Sequence, residues 1–144
     1  MIEELKELLE LKKKYYKYFG FEESLAAVQQ NGLALEHVKD QTEAICLAAV
    51  KQNGNALVYV KEQTAEICLA AVKKNGLALQ FVKDQTPEIC LAAVRQDGWA
   101  LAYVKDHTPE ICLAAVQRSS YALRYVKEKV IENYLADIDP KNNC

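Results

Sequence analysis

The sequence predicts an all-α protein, an α-solenoid of five 22-residue helical hairpins with a capping helix at each end. Three observations lead to this prediction. The phrase "TPEICLAAV" begins at Thr86 and again at Thr108. A glycine follows asparagine or aspartate at the same interval in four places. Between these markers, apolar residues recur at helical spacing.

The N-terminal segment, residues 2–19, is predicted to form a helix that repeats nothing else in the chain. Its apolar residues follow one side, and lysines and glutamates follow the other, as expected of a helix that covers the first repeat. The apolar residues are Ile2, Leu5, Leu8, Leu9, Tyr16 and Phe19. Residues 1–20 are therefore interpreted as an N-terminal capping helix.

Five repeat units follow over residues 21–130 without a change of register. They are residues 21–42, 43–64, 65–86, 87–108 and 109–130. The first helix of a unit has a clear start, because Thr86 is a good N-cap and Pro87 suits the first helical position. It is expected to end where a glycine adopts the left-handed conformation. These glycines are Gly32, Gly54, Gly76 and Gly98.

Both halves of a unit are predicted to be helical. The first contains "ICLAAV" in four of the five units, so apolar residues surround it and indicate burial on more than one side. The second half, such as "WALAYVKD" from Trp99, has the spacing of a short amphipathic helix. A hairpin of this size cannot bury its own apolar face, so the five hairpins are expected to stack.

The last unit departs from the pattern. Val130 stands where a threonine would start another repeat, and Ser120 replaces the glycine. We therefore predict one continuous helix over residues 121–137 that covers the end of the core. Residues 131–144 are interpreted as this C-terminal extension, followed by a polar tail from Pro140.

The repeated phrase also carries a family resemblance. From Thr86 to Lys105 the chain has "TPEICLAAVRQDGWALAYVK", and this pattern resembles the short helical repeats of domain-of-unknown-function family 4116. The resemblance covers residues 21–130, about three quarters of the chain. It implies a helical-repeat fold and supplies no activity or functional residue.

Composition narrows the classes of partner. The 18 basic and 20 acidic residues leave a formal net charge of -2, which disfavours binding to nucleic acid or to anionic lipid. No stretch approaches the roughly 18 apolar residues of a membrane span, and the first residues lack a secretory pattern. We expect a cytoplasmic protein that needs no cofactor, with a monomer as the favoured state.

The cysteines and histidines do not assemble a predicted catalytic or metal site. Four cysteines lie 22 residues apart, so neighbours in a stack are about 10 Å apart and cannot form a disulfide. They are interpreted as buried packing residues. These are Cys46, Cys68, Cys90 and Cys112. His37 and His107 occupy different repeat positions, and the repeat itself places no partner beside either one.

The positions that vary within the otherwise constant second helix are the candidate binding residues. Two rows of them, three residues apart, are expected to point away from the core. Large aromatic residues and arginine are the usual anchors of protein interfaces. The candidate partner-binding residues are Trp99, Tyr121, Arg124, Leu77, Val58 and Ala102.

These observations predict a non-enzymatic scaffold that binds another protein through the exposed face of its second helices. Two alternatives stay open. The chain has the size of a small inhibitor or decoy, such as a mobile-element protein that blocks a host defence nuclease. A thiol-dependent enzyme or sensor is the more remote alternative, and it rests only on the four repeated cysteines.

Overall fold

The computed structural model describes residues 1–139 and Lys141, with the backbone alone for residues 15–19. Within these residues, α-helices alternate with 3₁₀ helices, here labelled η. The α-helices are α1 (Ile2–Gln30), α2 (Glu43–Gln52), α3 (Ala65–Lys74), α4 (Pro87–Gln96), α5 (Pro109–Arg118) and α6 (Glu128–Ile138). The 3₁₀ helices are η1 (Gly32–His37), η2 (Gly54–Tyr59), η3 (Gly76–Phe81), η4 (Gly98–Tyr103) and η5 (Ser120–Tyr125).

Each unit places its α-helix in one layer and its 3₁₀ helix in a second layer. Each α-helix packs on the α-helix before it, and each 3₁₀ helix packs on the 3₁₀ helix before it. Among the described elements, contacts join only adjacent units. This is the architecture of an α-solenoid, and it confirms the predicted all-α repeat fold.

The core is a ladder of equivalent side chains between the two layers. Isoleucine, cysteine, alanine and valine of the α-helices meet leucine and alanine of the 3₁₀ helices. The leucine row illustrates the pattern, because one fully buried leucine recurs in each of the first four units. These residues are Leu35, Leu57, Leu79 and Leu101.

The predicted helix starts are confirmed. The hydroxyl oxygens of Thr42 and Thr64 each accept a hydrogen bond from a backbone N–H three residues later, at 3.2 Å. Thr86 and Thr108 make the same bond at 3.3 Å, and α4 begins at Pro87 as expected. Each cap satisfies one N–H that the helix leaves unpaired at its start.

The predicted role of the glycines is wrong. No described residue has a positive φ, so none of the four adopts the left-handed conformation. The preceding residue ends the α-helix in an extended conformation, and its side chain caps the next 3₁₀ helix. Asn53, for example, has φ -146° and accepts from the Asn55 N–H at 3.0 Å. The second half of each unit is therefore a six-residue 3₁₀ helix, which begins at the glycine in the first four units and at Ser120 in the fifth.

Close packing between units explains why these positions are glycine. A Cβ atom on Gly54 would lie 2.5 Å from the carbonyl oxygen of Ala71, in the α-helix of the next unit. The equivalent atom on Gly98 would lie 2.5 Å from the carbonyl oxygen of Ala115. Real Cβ atoms do not approach a backbone oxygen so closely. In the last unit Ser120 can stand at the glycine position, because no α-helix of a further repeat packs against η5.

The N-terminal segment does not form the predicted separate cap. One helix of 29 residues, α1, runs from Ile2 through Gly20 to Gln30, and its last turns serve as the α-helix of the first unit. All side chains of residues 1–14 are exposed, so this part does not cover the core. The side chains of Tyr16 and Phe19, two of the predicted cap residues, lie outside the described part.

The predicted continuous helix over residues 121–137 is also wrong. The 3₁₀ helix η5 ends at Tyr125, Val126 and Lys127 are extended, and α6 begins at Glu128. No residue of α6 is buried, so α6 leaves much of the end of the core open. Leu123, the fifth member of the leucine row, is 61% exposed, whereas the other four are 0% exposed. Apart from Lys141, the predicted polar tail from Pro140 lies outside the described residues.

Candidate interaction surface

The outer face of the 3₁₀ layer holds the predicted binding residues. Val58, Ala102 and Arg124 are exposed. Leu77 is partly buried and packs against the core, so it offers less surface than predicted. Trp99 is 38% exposed and Tyr121 is 70% exposed. Of these two side chains, Tyr121 on η5 is the more accessible.

Four of these side chains form one cluster, which we call the aromatic–arginine cluster: Trp99, Tyr121, Arg124 and Tyr125. The rings of Trp99 and Tyr121 are stacked, with centroids 6.0 Å apart. The rings of Trp99 and Tyr125 make a T-shaped contact at the same centroid distance. The guanidinium carbon of Arg124 lies 5.9 Å from the Trp99 centroid and 5.6 Å from that of Tyr125.

The cluster restricts its own side chains. Trp99 packs against Tyr121 and Tyr125 of the next unit and remains partly accessible to solvent. Arg124 lies over two rings, within the range of a cation–π interaction. No ion pair of Arg124 is found in the part of the chain that the structure describes. The Arg124 side chain is exposed, so a carboxylate of a partner can reach it.

A second row of residues lies on the connecting loops, and the sequence interpretation missed it. The Gln63 side chain donates to the Phe81 carbonyl oxygen at 2.7 Å and accepts from the Lys83 N–H at 3.0 Å. Gln41 and Gln85 make the same pair of bonds one unit before and after. Each glutamine thus joins its loop to the loop of the next unit. The sequence feature that could have identified this row is a glutamine that recurs at one fixed position of the repeat.

A comparison with known protein families identifies the family of this chain. The model of a family described as a domain of unknown function, DUF4116, matches residues 24–65, 42–86, 64–108 and 86–131. Together these matches cover about three quarters of the 144 residues. The chain belongs to the DUF4116 family.

The four DUF4116 matches fit the structural units. The last three begin at or next to the capping threonines and end about two units later, so each match spans a pair of stacked hairpins. No curated protein and no solved structure was found to match the chain. In the described residues of this DUF4116 protein, no helix is long and apolar enough to cross a membrane.

The repeated cysteines are buried, as predicted for packing residues. The Sγ atoms of Cys46, Cys68 and Cys90 each lie 3.5 to 3.6 Å from the Oε1 atom of the glutamine five residues earlier, which belongs to the row described above. Burial raises the pKa of all four thiols. A raised pKa disfavours the thiolate, which is the reactive form of cysteine.

His107 occupies the glutamine position in the last unit, so the expectation that the repeat places no partner beside it was wrong. Its Nδ1 lies 3.8 Å from the Sγ of Cys112. Burial, with a smaller contribution from the nearby charge of Lys127, lowers the pKa of His107. Burial also raises the pKa of Cys112, so the neutral forms of both groups are favoured. An activated thiolate–imidazolium pair needs the opposite shifts.

Among residues 1–139 and 141, no group of three His, Cys, Asp or Glu side chains lies close enough to hold an ion. The His107–Cys112 pair supplies only two ligands.

We expect His107→Gln to stabilise this DUF4116 protein by about 0.5–1 kcal/mol, as replacements by the consensus residue commonly do. A glutamine at this position is placed to bond the Tyr125 carbonyl and the Lys127 N–H, by the offsets of the other units. Thermal unfolding of the variant and wild type measures the difference. An unchanged or lower midpoint would contradict this account of the glutamine row.

The same substitution should also change the pH dependence. Because the pKa of His107 is lowered on folding from its ordinary 6.5, the unfolded chain binds the proton at a higher pH than the folded chain. The free energy of unfolding therefore falls as the pH drops below about 6.5, until the folded-state pKa is reached. The advantage of the glutamine variant should be larger at about pH 5 than at about pH 8.

Proposed function

We propose that this protein is a non-enzymatic scaffold that binds another protein through the outer face of its 3₁₀ layer, with the aromatic–arginine cluster as the anchor. The observation that carries the proposal is the exposure of Trp99, Tyr121 and Arg124 in this cluster at one end of the stack. Tryptophan, tyrosine and arginine supply a large share of the binding energy in protein interfaces. A cytoplasmic location is part of this proposal.

Three features of the cluster support its use as an anchor. The rings pack on one another, so little side-chain freedom is lost when a partner covers them. Arg124 adds a charge that a partner carboxylate can meet through two parallel hydrogen bonds. Ala102, one 3₁₀ turn after Trp99, is small and exposed. The cluster thus fits a partner that presents an apolar side chain flanked by an acidic one.

The solenoid supports the same proposal. A stack of five units shows equivalent residues at regular intervals, which gives an extended surface with little rearrangement. Val58 lies on the same face, two units before the cluster, and is exposed. Val58 and the other exposed residues of the 3₁₀ layer can therefore contribute weaker contacts around one strong anchor. This is the usual distribution of binding energy in a protein interface.

We expect Tyr121→Ala to weaken capture of the partner at least about tenfold, the loss typical of an interface anchor. The free energy of unfolding should be almost unchanged, because the side chain is mostly exposed. Trp99→Ala should weaken capture as much and also cost about 1 kcal/mol of stability, since its ring packs on two others. Capture from an extract of the source cell, quantified against thermal unfolding, measures both effects.

The matched control is Leu113→Ala. This residue is exposed and apolar, but it lies on α5 in the other layer. It should leave both capture and stability unchanged. If Leu113→Ala weakens capture and Tyr121→Ala does not, the binding face is the α-helical layer. The identity of the captured protein distinguishes a scaffold from an inhibitor of a defence nuclease.

A further inference from the structure

The first half of α1 carries an apolar face that nothing in the described chain covers. Every described side chain before Phe21 is exposed, and Phe21 is the first of them that packs against the core. The apolar residues here are 53% to 71% exposed. They are Ile2, Leu5, Leu8, Leu9 and Leu11. A helical segment of this length is marginal in water on its own, so it gains from a partner.

Two charged residues lie within this apolar face. Leu5, Leu8 and Lys12 follow the i, i+3, i+7 spacing of a single stripe. Glu4 lies beside the stripe, because Glu4, Leu8 and Lys12 follow the i, i+4, i+8 spacing. A partner that covers the leucines must therefore also meet one positive and one negative charge. These two charges lie at equal distances along the chain from Leu8.

We propose that residues 2–14 of α1 pair antiparallel with the same segment of a second copy, about a two-fold axis at Leu8. In this arrangement Lys12 of each copy lies level with Glu4 of the other, and Leu5 lies level with Leu11. A two-fold interface needs this self-complementarity, since each contact is made twice. A parallel pair would instead place Lys12 against Lys12 and Glu4 against Glu4.

The remaining charges agree with the antiparallel arrangement. Residues 3–10 contain four glutamates and one lysine, whereas residues 12–14 are all lysine. Antiparallel pairing therefore sets the acidic half of one helix beside the basic half of the other.

The geometry leaves room for the two solenoids. From Lys14 to Phe21, α1 continues for about 10 Å at 1.5 Å per residue. Each solenoid therefore begins beyond the end of the paired segment. The aromatic–arginine cluster lies in η4, η5 and the residues around them, so this interface is separate from the proposed binding face.

A membrane surface fits the same helix less well. Helices that lie on membranes carry lysine and arginine on their polar face. In residues 2–14, four glutamates balance four lysines. This segment therefore has no net charge to attract it to anionic lipid, and the second copy is the better partner. The proposal replaces the expectation of a monomer.

Sedimentation equilibrium of the full chain over a range of concentrations tests the proposal. We expect wild type to reach twice the chain mass of 16.2 kDa. Lys12→Glu and Glu4→Lys, each alone, should weaken dimerisation about tenfold or more, because each sets two like charges side by side. An equimolar mixture of the two variants should restore the dimer, since every facing pair is then opposite in charge.

Lys14→Glu is the matched control. It makes the same change of charge two residues away, on the polar side of the helix, because Glu7, Glu10 and Lys14 follow the i, i+3, i+7 spacing. It should leave the dimer almost intact. Circular dichroism of each variant should show unchanged helix content, which separates loss of pairing from loss of folding.

Three results would overturn the proposal. The first is a wild type that stays at 16.2 kDa at every concentration. The second is a dimer that neither Lys12→Glu nor Glu4→Lys weakens, which would place the interface elsewhere. The third is a monomer that sediments with vesicles of phosphatidylcholine and phosphatidylglycerol, which would assign the apolar face to a lipid surface.

Discussion

Gly54→Ala is expected to lower the free energy of unfolding by about 3 kcal/mol, the upper range for forcing extra atoms into a packed interior. The new Cβ would lie 2.5 Å from the Ala71 carbonyl oxygen and 3.0 Å from the Asn75 Cβ. The first of these is backbone in the next α-helix and cannot turn aside. The two units must therefore move apart, which also loosens the core between them.

Thermal unfolding measures this effect, and a loss of about 3 kcal/mol corresponds to a midpoint lowered by roughly 6–12 °C. Gly20→Ala is the matched control, because a Cβ on Gly20 would meet no atom of the described residues within 4 Å beyond its chain neighbours and the backbone of its own helix. Alanine there should raise stability by about 0.5–1 kcal/mol, since Gly20 lies inside a helix. If the two substitutions change the free energy of unfolding equally, helix propensity and not contact between units would determine the effect of alanine at these positions.

Leu79→Ala and Leu123→Ala are expected to differ by about 2 kcal/mol or more, although both change the same residue at the same repeat position. Leu79 is fully buried between its own unit and the next, so its loss leaves a cavity and costs about 3 kcal/mol. Leu123 is mostly exposed at the open end, so its loss should cost below about 1 kcal/mol.

Chemical denaturation of both variants, with the slope of the transition compared, measures this pair. The result tests whether α6 covers the end of the core. A loss of about 3 kcal/mol at both positions would mean that Leu123 is buried in solution. In that case α6, or a second molecule, would have to cover the last unit.

The features that the sequence predicted correctly are those that depend on neighbours along the chain. A threonine cap followed by proline acts within three residues, so the starts of α4 and α5 could be placed from the letters alone. The repeat itself determined the stacked architecture, because a hairpin of this size needs neighbours for a core.

Some of the wrong predictions concern features that contact with the next unit determines. The glycines were interpreted through their own backbone freedom, whereas their φ angles are ordinary and the constraint comes from the helix of the following unit. Likewise, the break at Val126 and Lys127 is the extended end that closes every 3₁₀ helix. Val60 and Val82, for example, have the same conformation. The absent threonine at Val130 comes too late in the chain to remove it.

The candidate surface was predictable in part. Variation at fixed repeat positions identified Trp99, Tyr121 and Arg124, and these side chains do lie together on the 3₁₀ layer. The contribution of Tyr125 was missed, because its position is aromatic in most units and was interpreted as part of the constant pattern. The His107–Cys112 contact was also missed, since the five-residue offset crosses a loop into a new helix.

The central claim is that a protein partner contacts the 3₁₀ layer at the aromatic–arginine cluster, and site-specific photo-crosslinking tests it most directly. A benzophenone side chain would be placed at Ala102, which is exposed on η4, and in a separate variant at Lys73, which is exposed on α3 in the other layer. After irradiation in the source cell, we expect a protein adduct from position 102 and little or none from position 73. An adduct at position 73 alone, or equal adducts at both positions, would contradict the claim.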